Sequence, residues 1–147
     1  MAPELFSKKK YAKSAEMFSF GVVMAEMSSG KRPYSDIPYE NELDICLEVL
    51  RGRRPTFGEG TPQRYIDLAM NCMHKDPEKR PTAEEAKESI FYWYNSVKEY
   101  HVGYKEMIKI KEEFDKYDEM IPTYEGDDNG NMSYTSKTLA LVSIDSD

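Results

Sequence analysis

From Ser14 to Ser29 the chain runs Ser-Ala-Glu-Met-Phe-Ser-Phe-Gly-Val-Val-Met-Ala-Glu-Met-Ser-Ser, with apolar residues on almost every helical face. A helix apolar all round belongs inside a domain, so this stretch is predicted as a buried axial helix. Ser14 stands at its N-cap, Glu16 suits the positive end of the helix dipole, and Gly30 supplies the C′ residue. Lys31 to Tyr39 holds Pro33, Asp36 and Pro38 and reads as a turn-rich loop. Leu43, Ile45, Cys46, Val49 and Leu50 recur at helical spacing up to Arg51-Gly52, and Arg53-Arg54-Pro55 follows as an extended piece. Thr61 and Pro62 open the next helix as N-cap and first residue, with an apolar face of Tyr65, Ile66, Leu68, Ala69, Cys72 and Met73. Asp76-Pro77 stops it. Thr82 and Glu85 then form a capping box for a helix carrying Ala86, Ile90, Trp93, Tyr94 and Val97. No useful length alternates at period two, which predicts a mainly α fold through residue 97.

Beyond Val97 the residues turn to Lys, Glu, Asp and Tyr. Met107, Ile110, Phe114, Tyr117 and Ile121 recur at three-then-four spacing, which predicts a helix over 105–119, set off by Gly103 and ended by Pro122. Its seam is too short for a stable coiled coil. Two fates stay open for it, packing back on the preceding helices or presenting a partner-binding face. Glu125 to Asp147 is acidic and rich in small polar residues, and is expected to be a disordered tail. The chain therefore divides into 1–97, a charged amphipathic helix over 98–122, and a tail over 123–147.

Composition narrows the function. A formal net charge of −7 and a pI near 5.0 disfavour nucleic-acid or membrane-surface binding. Hydrophobic content of 39% with a mean hydropathy of −0.73 fits a packed segment followed by a poorly packed one. No apolar run reaches membrane-spanning length and no export signal opens the sequence, so a cytoplasmic location is expected, with Cys46 and Cys72 as reduced core thiols. Glu125, Asp127, Asn129 and Gly130 occupy places of a calcium loop, but Ser136 stands where its closing glutamate belongs, so that motif fails. Asn131-Met132-Ser133 is a glycosylation sequon by spelling alone, and His74 and His101 lack partners at metal-ligand spacing.

Ala2-Pro3-Glu4, then Ser19-Phe20-Gly21, then Arg80-Pro81, in this order with these helices between them, resemble the large helical lobe of a eukaryotic protein kinase. The resemblance begins at the Ala-Pro-Glu that closes the family's activation segment and covers about residues 1–97. Ser-Phe-Gly together with Arg53-Arg54-Pro55-Thr56-Phe57 resembles the tyrosine-kinase-like group of serine/threonine kinases. Tyr134-Thr135-Ser136-Lys137 is similar to the tails of kinases expanded in arbuscular mycorrhizal fungi. By resemblance Glu4 and Arg80 form a largely buried ion pair and Gly21 is a lobe position. Val23 and Met27 lie beneath the hydrophobic stack on the adenine side. Glu16 matches an aspartate that anchors the catalytic loop, one methylene longer here, and first-turn helix-dipole stabilisation explains it equally well.

Phosphoryl transfer in this family needs a glycine-rich loop, a strand lysine with its helix glutamate, a catalytic aspartate and metal-holding residues. The sequence contains no Gly-x-Gly-x-x-Gly, His-Arg-Asp or Asp-Phe-Gly. It therefore offers no catalytic, cofactor-binding or metal residue of its own, and Met1 reads as an internal methionine of a longer frame. A complete parent would use ATP and Mg²⁺ to phosphorylate protein Ser or Thr, while this chain is expected to be inactive alone. The alternative is a non-catalytic interaction module that binds a protein through the lobe surface, such as the region from Tyr39 to Leu50, or through the 107–121 helix.

Overall fold

The organising contact lies where two helices come too close for a side chain. Helix α1 (Lys13–Ser29) meets α3 (Gln63–Cys72) at Gly21 in the computed structural model, which describes residues 2–4, 12–38, 42–98 and 104–120. A Cβ at Gly21 would stand 2.6 Å from the Ala69 carbonyl oxygen and 2.7 Å from Met73 Cγ, closer than real atoms pack. Only glycine permits this approach.

Around that contact the core gathers Phe18, Met24, Leu68, Ala69, Cys72 and Met73, joined by Val49 of α2 (Glu42–Leu50), Ala86 of α4 (Ala83–Lys98), and Tyr34 and Ile37 of the loop after α1. Among the described residues no strand occurs, in keeping with the mainly α expectation.

The expectation that α1 is buried all round is corrected. Ala15, Met17, Phe18, Gly21, Met24 and Ala25 turn inward, whereas Phe20, Val23 and Met27 are 36%, 47% and 43% exposed. These three follow one another at helical spacing, so they form one outward row. Helix α3 packs on the opposite side, and nothing among the described residues buries that row.

Two caps also differ from expectation. Helix α1 begins at Lys13, with Ala12 as N-cap and its carbonyl accepting from the Ala15 N–H, so Ser14 sits inside the first turn. Helix α3 has Pro62 rather than Thr61 at its N-cap; Thr61 Oγ1 instead donates to the Gly58 carbonyl and meets Ser28 Oγ at 3.0 Å. The tertiary contact with Ser28 recruits the hydroxyl that local pattern alone would place on the helix end. The other punctuation holds. Gly30 adopts φ 63° and returns its N–H to the Glu26 carbonyl, and Gly52 after α2 takes φ 101°. Thr82 and Glu85 form the reciprocal box, with the Thr82 N–H donating to Glu85 Oε2 at 2.7 Å and the Glu85 N–H to Thr82 Oγ1 at 3.3 Å. The Thr82 N–H, and after it the Thr82 hydroxyl, which donates to the same oxygen at 2.9 Å, hold the Glu85 carboxyl below its ordinary range.

Helix α5 (Lys105–Met120) packs on α4, which resolves the two fates left open for it in favour of packing. Ile110 is fully buried there, and the Phe114 ring lies 5.9 Å from Trp93. Cys72 is buried, which pushes its thiol up to about 11, and Cys46 is half-buried; both are free thiols. Gly103, His101, Ile121, Pro122 and the acidic tail lie outside the described residues. No helix among those described is long and apolar enough to cross a membrane.

Candidate functional site around Glu4 and Arg80

Arg80 follows a short 3₁₀ turn, Pro77–Lys79, whose N-cap Asp76 accepts from the Glu78 N–H. That turn delivers the Arg80 guanidinium into the lobe, where the side chain is fully buried. A buried cation is tolerable only when its donors are used. Here four bonds use them. Nη1 and Nη2 donate to the two carboxylate oxygens of Glu4 at 2.7 and 2.8 Å, Nε donates to the His74 carbonyl at 2.8 Å, and Nη1 also reaches the Ser14 carbonyl at 2.7 Å. The fork-on-carboxylate geometry is the strong, directional form of an ion pair. It ties the 2–4 segment, the first turn of α1 and the chain after α3 to one point.

Phe18 of α1 is buried beside this group. The Arg80 guanidinium carbon lies 5.1 Å from its ring centroid, and that of Arg54 lies 5.0 Å away. Arg54 donates to the Met73 carbonyl at 2.8 Å, to Val49 at 3.1 Å and to Arg53 at 2.8 Å. Burial, with the nearby Arg80 charge adding to it, lowers the Arg54 pKa, and the Tyr34 phenolate form would oppose that shift. Tyr34 sits in the left-handed region at φ 63°, its hydroxyl is buried without a hydrogen-bond partner among the described residues, and burial pushes its pKa up to about 12. Both guanidinium groups serve carbonyls just past the end of α3, where the helix dipole is negative.

The sequence singled out six positions, and the structure treats them differently. Glu4 and Arg80 meet directly. Gly21 lies in the α1–α3 contact, buried against Cys72 and Met73. Glu16 is exposed on α1 and lines a groove of about 690 Å³ with Met17, Phe20, Ala86, Ile90 and Tyr94. Val23 and Met27 stand on the outward row. The roles of Phe18 and Arg54 were not read from the sequence, because an aromatic inside an apolar helix and an arginine in an extended loop carry no local sign that they will meet. Opposite charge was the one available signal for Arg64, whose Nε donates to Glu113 Oε2 of α5 at 2.7 Å.

Chemically the hub orients and locks. It brings no nucleophile to a general base. Among the described residues no group of three or more His, Cys, Asp or Glu is placed to hold a metal ion. The groove between α1 and α4 has a nearly all-apolar lining with one lysine, Lys87, and one glutamate, Glu16, a donor set that does not suit a nucleoside triphosphate with its metal.

Residues 1–90 match the family described as protein tyrosine and serine/threonine kinase. A putative serine/threonine-protein kinase/receptor, R831, of Acanthamoeba polyphaga mimivirus is 36% identical over 89 residues, covering 60% of this chain and 5% of the relative. The probable serine/threonine-protein kinase drkA of Dictyostelium discoideum is 31% identical over 90 residues, covering 60% of this chain and 14% of its own length. A protein kinase and PP2C-like domain-containing protein of Arabidopsis thaliana is 32% identical over 99 residues, or 57% of this chain and 15% of that protein. The chain thus spans only a small part of the relatives it matches. Among solved structures, the AtMLKL3 tetramer determined by cryo-electron microscopy aligns with a TM-score of 0.57 at 26% identity, covering 78% of this chain and 23% of that one. With the match running unbroken from the Ala-Pro-Glu segment through the Arg80 hub and into α4, the chain belongs to the protein tyrosine and serine/threonine kinase family.

Proposed function

We propose that this chain is the C-terminal-lobe portion of a protein kinase of the tyrosine-kinase-like serine/threonine group, and that its 147 residues alone neither bind ATP nor transfer phosphate. The observation that carries the reading is the buried fork between Glu4 and Arg80, at the positions where the motif resemblance puts an activation-segment glutamate and its arginine. In the complete parent, ATP and Mg²⁺ would supply the γ-phosphoryl group for Ser or Thr of a protein substrate. The described residues offer no donor set suited to that cofactor, so no step of the reaction is assigned to them. Their part is to hold the end of the activation segment rigidly on the lobe, where a protein substrate would lie alongside. The serine/threonine wording in the relatives' names supports the substrate class. A kinship with the kinases expanded in arbuscular mycorrhizal fungi, and a cytoplasmic location without nucleic-acid or membrane partners, complete the proposal.

Calorimetry with Mg·ATP on the purified chain tests it, together with phosphate transfer to a generic protein substrate. Neither heat of saturable binding nor transfer is expected. Saturable ATP binding would overturn the proposal.

A second reading, a kinase-derived interaction module without catalysis, draws on the outward row of Phe20, Val23 and Met27. Reading the native transcript in frame upstream of Met1 separates the two. An extension with a glycine-rich loop, His-Arg-Asp and Asp-Phe-Gly favours the kinase portion; a transcript starting at Met1 favours the module.

A further inference from the structure

Helix α5 lies beyond residues 1–90, the segment that matches the kinase family, yet it rests on the lobe. Three elements build the seat. Trp93 of α4 receives the Phe114 ring, Arg64 of α3 donates to Glu113 at 2.7 and 3.2 Å and to Glu106 at 3.2 Å, and the Tyr117 hydroxyl donates to the Ser28 carbonyl of α1 at 2.8 Å. The Tyr117 oxygen also closes over Gly58, where an added Cβ would lie 3.4 Å from it.

This attachment differs in kind from the contact between α1 and α3. There the backbones approach through Gly21 and several side chains are wholly buried. In α5 Ile110 alone is buried, and the ionic fastener is reached by water, with Arg64 23%, Glu113 32% and Glu106 59% exposed. Solvated ion pairs are weakened by salt, whereas close apolar packing is not. Elements with few buried apolar contacts open at a lower free energy than the core they rest on.

We propose that α5 is a releasable strap, which detaches from the lobe as one unit while α1, α3 and α4 stay folded, with Arg64 and Tyr117 as its fasteners. Release uncovers the side of the Trp93 ring that meets Phe114, while Tyr65 stays beside it, and frees the Ser28 carbonyl at the end of α1 from Tyr117. The inference concerns these contacts alone and does not depend on the catalytic reading of the parent.

Amide hydrogen exchange on the full chain tests it, with the emission of Trp93, the only tryptophan, as a second readout. In the unaltered protein the α5 amides are expected to exchange about tenfold or more faster than those of α1 and α3. Arg64→Glu should speed α5 exchange by roughly a further tenfold and shift Trp93 emission to longer wavelength, leaving α1 unchanged. Reversing the partners as well, in R64E/E106R/E113R, should restore protection, and Tyr117→Phe should weaken it on its own. Exchange of α5 in step with α1 in every variant overturns the strap, because the two would then open as one body. So does loss of α1 protection in R64E, since the strap must leave the lobe intact.

Discussion

Removing one partner of the Glu4–Arg80 pair isolates the energetics of the hub. The Arg80 side chain has no exposure and Glu4 has 10%, so neither charge is solvated where it stands. In Glu4→Ala the guanidinium keeps the His74 and Ser14 carbonyls and the Phe18 ring but loses its counter-charge. Stranding one member of a buried pair costs about 3–5 kcal/mol, and the retained carbonyls place this variant near the lower end, at about 3 kcal/mol. Arg80→Ala leaves those two carbonyls without their donor as well, each at about 1–3 kcal/mol, and empties the space beside Phe18, so its loss is expected to be the larger. For a domain of this size about 3 kcal/mol corresponds to a fall of roughly 12 °C or more in Tm. Urea and thermal unfolding followed by far-UV circular dichroism and Trp93 emission give both values. The double variant should lose much less than the sum of the singles, because the second substitution removes a charge already stranded. A Tm unchanged in both single variants would sink the argument, as would strict additivity.

Gly21→Ala tests the close approach. Helix propensity alone favours alanine by about 1 kcal/mol, but the new methyl would lie 2.6 Å from the Ala69 carbonyl oxygen, so a net loss of about 1–3 kcal/mol is expected from overpacking. Stabilisation on urea titration would show that α1 and α3 do not touch there. Acid should loosen α5. The Arg64 hydrogen bond, aided by the charges of Arg64 and Lys109, holds the Glu113 carboxyl below its ordinary range against the opposing effect of burial. A carboxylate with a depressed folded pKa contributes stability fully above its unfolded value and loses it as pH falls through the folded one. Trp93 emission should therefore shift as pH falls below the usual glutamate range. Arg64→Ala, which removes the main cause of the depressed pKa, should largely abolish that transition, with the emission already shifted at neutral pH; an identical profile in both proteins would refute the assignment.

Local chemistry made much of the fold legible. The Thr82–Glu85 box is written at the spacing that one helical turn imposes, and it forms. Gly30 and Gly52 mark ends that need positive φ, and both take it. The three-then-four spacing of Met107, Ile110, Phe114 and Tyr117 places α5 within a residue of its observed end. The hub was legible only through three motifs taken together, because Glu4 and Arg80 stand 76 residues apart and neither has a local reason to find the other. Phe18 and Arg54 escaped notice for the same reason. The cap assigned to Thr61 failed because Ser28 and Gly58 compete for its hydroxyl, and the one assigned to Ser14 because α1 begins at Lys13, one residue before it.

By itself the sequence determined the class of fold, the order of its helices, the punctuation between them and the family, since periodicity, capping and motif order all act over short range or by simple succession. Tertiary structure decided which face of α1 is covered, which charges find one another and where α5 comes to rest. Those outcomes depend on distance in space. A helix apolar on every face has no preferred inward side until Gly21 admits α3 against one of them, and Phe20, Val23 and Met27 are then left on the other.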